Sequence, residues 1–312
     1  MTVQPPKTAY QPPTVGEPVP QVGTAGEPVR QTNLWRDAWH RYIRNRGAVL
    51  AGAVFLLLLL YCLIWPIVSP YDPNGIAFEL KGDAPSLKHP FGNDQFGRDM
   101  LTRTALGGRV SIGIGFVATL VILIAGITYG SIAGFIGGIL DNAMMRLLDT
   151  LYGLPYLPFA IIVLAIFGDA NFWTMVVALS IVSWFTTARI VRGQIITLKE
   201  NDYVRAARAV GARWYRILGR HLLPNTLGVL VIAVFLELPG VVLGEAFLSF
   251  IGLGISPPDA SWGQMAEEGR RAYRVYPHII AVPSIAIATL VLCANFIADG
   301  LRDALDPRTR ET

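Results

Sequence analysis

The chain has 312 residues, of which 53% are hydrophobic and only 15% charged; soluble domains carry roughly 25% charge. Mean hydropathy is +0.46 and net charge is +4. So little charge does not cover a globule in water, and the apolar content excludes a disordered chain, a coiled coil and a disulfide scaffold. Cys62 and Cys293 both lie in long apolar runs and read as apolar filler rather than as a disulfide. A polytopic membrane protein is what remains.

Residues 1–46 read as a cytoplasmic tail. Pro5, Pro6, Pro12, Pro13, Pro18, Pro20 and Pro28 punctuate its first part without apolar periodicity, which predicts a largely disordered, partly polyproline segment. It ends in a basic helix from Trp35 to Arg46, suited to a membrane surface. The apolar run that follows starts at Ala48, is too long for a leader's apolar region and has no small-residue cleavage site after it. Residues 47–312 therefore form one transmembrane domain.

Six apolar runs predict six spanning helices: Ala48–Val68, Val110–Ile136, Met144–Phe167, Phe172–Ile190, Leu227–Ile251 and Ile279–Ala298. The second is long enough to tilt, or to kink near Gly126 and Gly130. The third contains Pro155 and Pro158 and should be broken or kinked there. With the N-terminus inside, eighteen Lys and Arg fall on the cytoplasmic side and eight outside, which predicts both termini inside. Arg308 and Arg310, and Lys7 and Arg30 in the tail, belong to the inner set.

Three segments are too long for turns: Ser69 to about Arg109 and Gly252 to Pro277 outside, and the inner loop 193–225. In the inner loop, Asn201 or Asp202 can cap a helix from Tyr203 to Val210, and Gly211 can end it. A second short helix, Arg213 to His221, should precede Pro224 at the entry to the fifth span. The pair Ala206–Ala207 permits close approach of another surface, and five arginines surround it. A basic loop resting on anionic lipid is the competing reading.

This loop resembles the EAA loop of binding-protein-dependent ABC importer permeases, whose pattern is Glu-Ala-Ala, three residues, Gly, nine residues, Ile-x-Leu-Pro. Ala206, Ala207, Gly211, Leu223 and Pro224 match at those spacings, while Arg205 replaces the Glu and His221 the Ile. The stretches HPFGNDQFGRDMLTRTALGGRVSIGIG, MRLLDTLYGLPYLPFAII, EAFLSFIGLGISPPDASWGQM and IADGLRDALDPR continue the resemblance in order. It covers about Trp35 to Arg308 and points to the second permease subunit of dipeptide, oligopeptide and nickel importers.

The resemblance implies an all-α fold of six transmembrane helices, of the ABC importer type I permease architecture, in the cytoplasmic (inner) membrane of a prokaryote. It implies a heterodimer with a second permease subunit, two cytoplasmic ATP-binding subunits, and an extracytoplasmic substrate-binding protein. The ligand would be a dipeptide, an oligopeptide, a glutathione-like peptide or a nickel chelate. Tyr203, Ala206, Ala207, Gly211, Leu223 and Pro224 would couple to the ATPase. No phosphate-cradling G-x-x-x-x-G-K-[ST] occurs in the sequence. The chain is thus expected to be no enzyme, with no cofactor of its own and with ATP and Mg on the partner ATPases.

Charges outside the loop supply the remaining candidates. Glu237 and Glu245 lie within the fifth span, where a carboxylate is costly and marks a partner or an aqueous path. Glu237, the deeper, is the first candidate for the translocation path, the competing reading being a paired or protonated group facing the other subunit. Asp149 and Arg146 read as a local pair. Ser261 and Gln264 have capping-box spacing, so Trp262 to Tyr273 should form an outer helix. Its Trp262, Glu267 and Arg270 are candidates for docking the binding protein, or simply a solvated face. Arg98 and Asp99 could pair and lock the outer loop.

The four histidines, His40, His89, His221 and His278, are at no metal-ligand spacing, so no metal is expected. Ser180 and Ser183 have no histidine within a turn, which leaves an intramembrane protease unsupported. Membrane lipid is an expected partner and nucleic acid is not. A self-sufficient six-span channel or secondary transporter is the alternative. It predicts paired midplane charges and inverted repeats, and leaves the Ala-Ala…Gly…Leu-Pro loop unexplained.

Overall fold

The computed structural model describes residues 34–256 and 259–305. The Pro-rich part of the tail, with Lys7 and Arg30, falls outside the described residues, as do Pro257, Pro258, Arg308 and Arg310. The described residues form helices and loops, with no strand among them. A short helix α1, Leu34–Arg44, precedes α2, Arg46–Val68. Asn45 separates the two, its side chain accepting from the Ala48 N–H at 3.1 Å and so capping α2. The Tyr42 hydroxyl donates to the Ala48 carbonyl at 3.1 Å and ties α1 back onto that start.

The second span, α3, runs from Met100 to Ile136. Its 37 residues would extend about 55 Å, well beyond a hydrocarbon core of about 30 Å. It starts ten residues before its apolar run, because Asp99 caps it by accepting from the Thr102 N–H at 2.8 Å. Arg103 and Arg109 therefore stand on a helix and not in the outer loop. The helix is continuous through Gly126 and Gly130, where a kink was open.

These glycines serve packing instead. Gly126, Gly130 and Gly134 recur every four residues and so share one face. That face lies against α6, Phe172–Leu198. A Cβ at Gly126 would sit 2.7 Å from the Thr187 side chain, one at Gly134 would sit 2.8 Å from the Arg192 carbonyl oxygen, and one at Gly130 would collide with the Ala188 carbonyl. Small residues of this kind let backbones touch where lipid supplies no hydrophobic drive between helices.

The third span is broken, as its prolines predict. Helix α4, Gly138–Tyr152, and α5, Tyr156–Phe167, meet at an angle of 86°. Pro155 precedes α5 and Pro158 sits in its first turn, where a missing N–H costs nothing. Helix α6 follows, opened by a capping box between Asn171 and Thr174.

The inner loop holds α7, Asp202–Ala209, and α8, Trp214–Ile217. A π turn over Leu218–Leu222 joins α8 directly to α9, Leu223–Leu248. Pro224 thus does not open the fifth span after a gap. It sits in a helical rod that runs without a gap from Trp214 through α8, the π turn and α9 to Leu248. A π turn lies just before it, and Asn225 Nδ2 donates to the His221 carbonyl at 2.7 Å. A second π turn, Ser249–Leu253, ends the rod with Gly252 at φ +88°. The outer helix α10, Trp262–Ala272, and the last span α11, Pro277–Leu305, complete the chain.

Among the described residues five helices are long and apolar enough to cross a membrane, and the bent α4–α5 pair brings the number to six when counted as one span. The core lies where Ile114, Ala118 and Ile122 of α3 meet Met175 and Leu179 of α6 and Val241 of α9.

Candidate functional site

Helix α7 is held by one buried residue. Val204 of α7 is fully buried among Ile195, Ile217, Leu218 and Leu222. The rest of α7 is consequently pushed outward. Tyr203, Arg205, Ala206, Ala209 and Val210 are exposed, whereas Ala207 leans inward onto the same apolar cluster. The small residues of the outer face are thus Ala206 and Ala209. The helix ends in a Schellman motif: the Gly211 N–H donates to the Arg208 carbonyl at 2.9 Å and the Ala212 N–H to the Ala207 carbonyl at 3.0 Å. Gly211 has φ +80°, a conformation L side chains resist, so its place at the turn is conformational. Leu223 is half-buried and Pro224 exposed.

Aromatic rings and arginines continue this surface. Trp214 and Tyr215 of α8 are half exposed. The Arg208 guanidinium lies 5.3 Å over the Phe135 ring. Arg205 approaches Glu200 at 3.8 Å and Asp202 at 4.0 Å, in loose exposed pairs.

Two ion pairs brace α4 against α6 where the loop leaves the membrane. Arg192 binds Asp141 bidentately at 2.5 and 2.7 Å. Arg189 Nη2 donates to Asp149 at 2.8 Å. Asp149 therefore pairs across to α6, not with Arg146 on its own helix. Lys199 Nζ donates to the Gly134 carbonyl at 2.9 Å and closes the inner end of α3.

On the opposite side, residues 69–99 and α10 form one platform. Arg98 joins them: its Nε meets Asp94 at 2.5 Å and its Nη2 meets Glu268 at 2.9 Å. Arg103, only 1% exposed, lies 3.6 Å from Asp94 and 3.8 Å from Glu268. The expected Arg98–Asp99 pair does not form. Asp99 instead caps α3 and accepts His89 Nδ1 at 2.9 Å. A cleft of about 440 Å³ opens beside the platform, lined among others by Arg98, Gln264, Glu267 and Arg271.

Of the three candidate docking residues, only Arg270 is well exposed. Glu267 is nearly buried and accepts Arg270 at 3.3 Å and Arg271 at 2.8 Å. Trp262 is fully buried, its Nε1 donating to the Thr104 carbonyl at 2.8 Å. It is a core anchor of α10 rather than part of its exposed face. Ser261 does cap α10, accepting from the Gln264 N–H at 3.2 Å.

The two carboxylates of α9 separate. Glu245 is fully buried. It accepts the hydroxyls of Ser111 at 2.9 Å and Ser249 at 2.7 Å. The Ser111 oxygen in turn accepts the Trp262 N–H at 3.0 Å, so Glu245 anchors the start of α10 to α3 and α9. Glu237 is half-buried. Gly240 and Gly244 follow it on the same helical face. They border an open apolar groove of about 750 Å³ between Tyr156, Phe247 and Ala288. The serines of the Glu245 network carry no sequence signal of their own. Only their partners, distant in sequence, reveal them.

Residues 126–311 match the family described as the inner membrane component of binding-protein-dependent transport systems, and residues 33–90 match the N-terminal transmembrane domain of oligopeptide transport permease C. The chain is 37% identical to the oligopeptide transport system permease protein OppC of Haemophilus influenzae, over 89% of this chain and 90% of that one. It is 39% identical to the dipeptide transport system permease protein DppC of Bacillus subtilis (88% and 86% covered) and 38% identical to the glutathione transport system permease protein GsiD of Pectobacterium atrosepticum (88% and 92% covered). Among solved structures, an inward-facing MetNI methionine ABC transporter chain superimposes with a TM-score of 0.54 at 20% identity, covering 66% of this chain and 97% of that one. That likeness is one of fold.

Proposed function

Because the chain belongs to the family of inner membrane components of binding-protein-dependent transport systems, we propose that it is the permease subunit of an ATP-driven importer that passes peptides across the inner membrane. The oligopeptide, dipeptide and glutathione names of its relatives support a peptide over a nickel chelate. The observation that carries the mechanical part is α7: a capped helix with small residues outward, held to the spanning rod by Val204.

In this reading both termini and the inner loop face the cytoplasm, as the Lys and Arg distribution favours. Helix α7 seats in a cleft of an ATP-binding subunit, with ATP and Mg on that partner and no cofactor on this chain. Closure of two such subunits displaces α7. The helical rod from Trp214 to Leu248 carries the displacement toward the outer face. A second permease subunit meets the α9 groove, and Glu237 lines the path there. A binding protein delivers ligand to the outer platform, with Arg270 among its contacts.

Mild-detergent purification of the tagged chain from its native membrane, followed by mass spectrometry, tests the assembly. Recovery of a second six-span subunit and of Walker-motif ATPases is expected. A chain recovered alone or as a homo-oligomer overturns the proposal in favour of a channel or secondary transporter.

A further inference from the structure

The surface around α7 has a charge pattern that specifies its partner. Five arginines lie between residues 205 and 220, against Glu200 and Asp202 as the nearby carboxylates. On α7 itself, Ala206 and Ala209 form the low centre of the exposed face, with Asp202 at its N-terminal end. Arg205 stands on one edge of that face, and Tyr203 and Val210 on the other. Val210 is 85% exposed and Trp214 50%, so the apolar part has no cover from this chain.

Anionic lipid is one possible cover for such a surface, but its position argues for protein. Arg189 and Asp149 form an ion pair at the surface of α6, and because exposed charges are costly in hydrocarbon, α6 has left the apolar layer by this point. The nine residues from there to Leu198 add about 13 Å before the loop begins. The apolar residues of α7 are thus held beyond the membrane boundary.

We infer that the partner presents an apolar seat rimmed by carboxylates, one of which opposes Arg205. The inference rests on reading α7 as the ATPase-docking helix and adds the chemistry of the opposing surface. The loose pairs of Arg205 with Glu200 and Asp202 leave its guanidinium able to engage an outside carboxylate, for which the planar fork is suited. Complementary charge of this kind sets partner choice and salt dependence, whereas like charges placed opposite one another are costly.

The test places Arg205→Glu, Arg205→Lys and Ala206→Asp in the native gene. The tagged complex is then purified into nanodiscs of phosphatidylcholine, with or without phosphatidylglycerol. The readout is the ATP-binding subunit retained per tagged chain over a NaCl series, with the second permease subunit as the control for folding. The expected result is retention that falls with salt in the parent, about tenfold weaker retention in R205E, and intermediate retention in R205K, which keeps the charge but not the fork, in neutral lipid. A carboxylate-to-lysine change in the ATP-binding subunit that restores R205E identifies the opposing residue. Parental retention in R205E beside loss in A206D overturns the inference and leaves the docking reading standing. Parental retention in both overturns the docking reading itself. An R205E defect seen only with phosphatidylglycerol assigns the surface to lipid and overturns the inference.

Discussion

Arg109 Nε donates to the carbonyl of Cys62 at 2.8 Å, and Cys62 is the residue four before Pro66. A proline in a helix leaves that carbonyl without its N–H donor. In an apolar layer no water is at hand to replace it. The guanidinium of α3 supplies the missing donor and also bonds the neighbouring Leu63 carbonyl. An arginine near a membrane boundary is readily counted as an orientation signal. Here it repairs a proline break in another helix.

Arg109→Leu should therefore destabilise the chain by about 1–3 kcal/mol, the cost of leaving a buried acceptor unpaired. In a Pro66→Ala background the helix regains its own donor, so the same change should cost markedly less. Thermal unfolding of the four variants in one detergent measures the coupling. Equal costs in both backgrounds would show that Arg109 acts by some other route.

The glycines of α3 make a second contrast. Gly130→Ala puts a methyl group into the Ala188 carbonyl of α6, and backbone cannot move aside cheaply. Gly193, on α6 itself, has open space around its Cβ position. Gly193→Ala should be neutral or stabilising by about 0.5–1 kcal/mol through helix propensity. Gly130→Ala should cost about 1–3 kcal/mol, as overpacking does. Monodispersity and melting temperature after purification separate the two, and a well-behaved Gly130→Ala would mean the helices are not in contact there.

How far the fold could be read in advance follows from these same residues. The six apolar runs announce themselves because each exceeds the length a bilayer demands. Pro155 and Pro158 announce the break between α4 and α5. The ends were harder to read. Thr102, Arg103 and Thr104 look like loop, yet they lie buried at the start of α3, where Asp99 meets Thr102, Asp94 and Glu268 meet Arg103, and the Met100 carbonyl accepts from Thr104. Pro224 looked like a helix start because a π turn leaves no mark in composition. Glu245 signals the cost of a buried carboxylate but not the serines that meet it. In the inner loop the spacing of Ala206, Gly211 and Pro224 was legible. Which alanine faces outward depends on Val204 finding its pocket.

The Glu245 network yields a third prediction. Glu245→Ala leaves the Ser111 and Ser249 hydroxyls without their acceptor, at about 1–3 kcal/mol for each group left unpaired in the core. The first place to loosen is the start of α10, whose Trp262 N–H rests on Ser111. Hydrogen exchange at residues 262–266 should accelerate in Glu245→Ala and much less in Glu245→Gln, which keeps one acceptor. Unchanged protection there in Glu245→Ala would remove the anchoring role.

The outer platform gives the last contrast, between two charged residues of the same helix. Glu268 is 16% exposed and meets both Arg98 and Arg103, whereas the Arg270 side chain is 52% exposed, hydrogen-bonds Glu267 and lies 5.5 Å over the Phe250 ring. Removing Glu268 leaves two guanidinium groups sharing Asp94, one of them 1% exposed. Breaking a fully buried pair costs about 3–5 kcal/mol, and the partial exposure of Glu268 lowers this to about 1–3 kcal/mol. Arg270→Ala should stay within about 0.5 kcal/mol, as exposed pairs do. Limited proteolysis reads the difference, since the 69–99 segment is held to α10 through Arg98. Glu268→Ala should be nicked between Tyr71 and Arg98 under conditions where Arg270→Ala stays intact. Equal resistance of both variants would mean that the segment is held by its own turns and by His89, and that the clamp adds nothing.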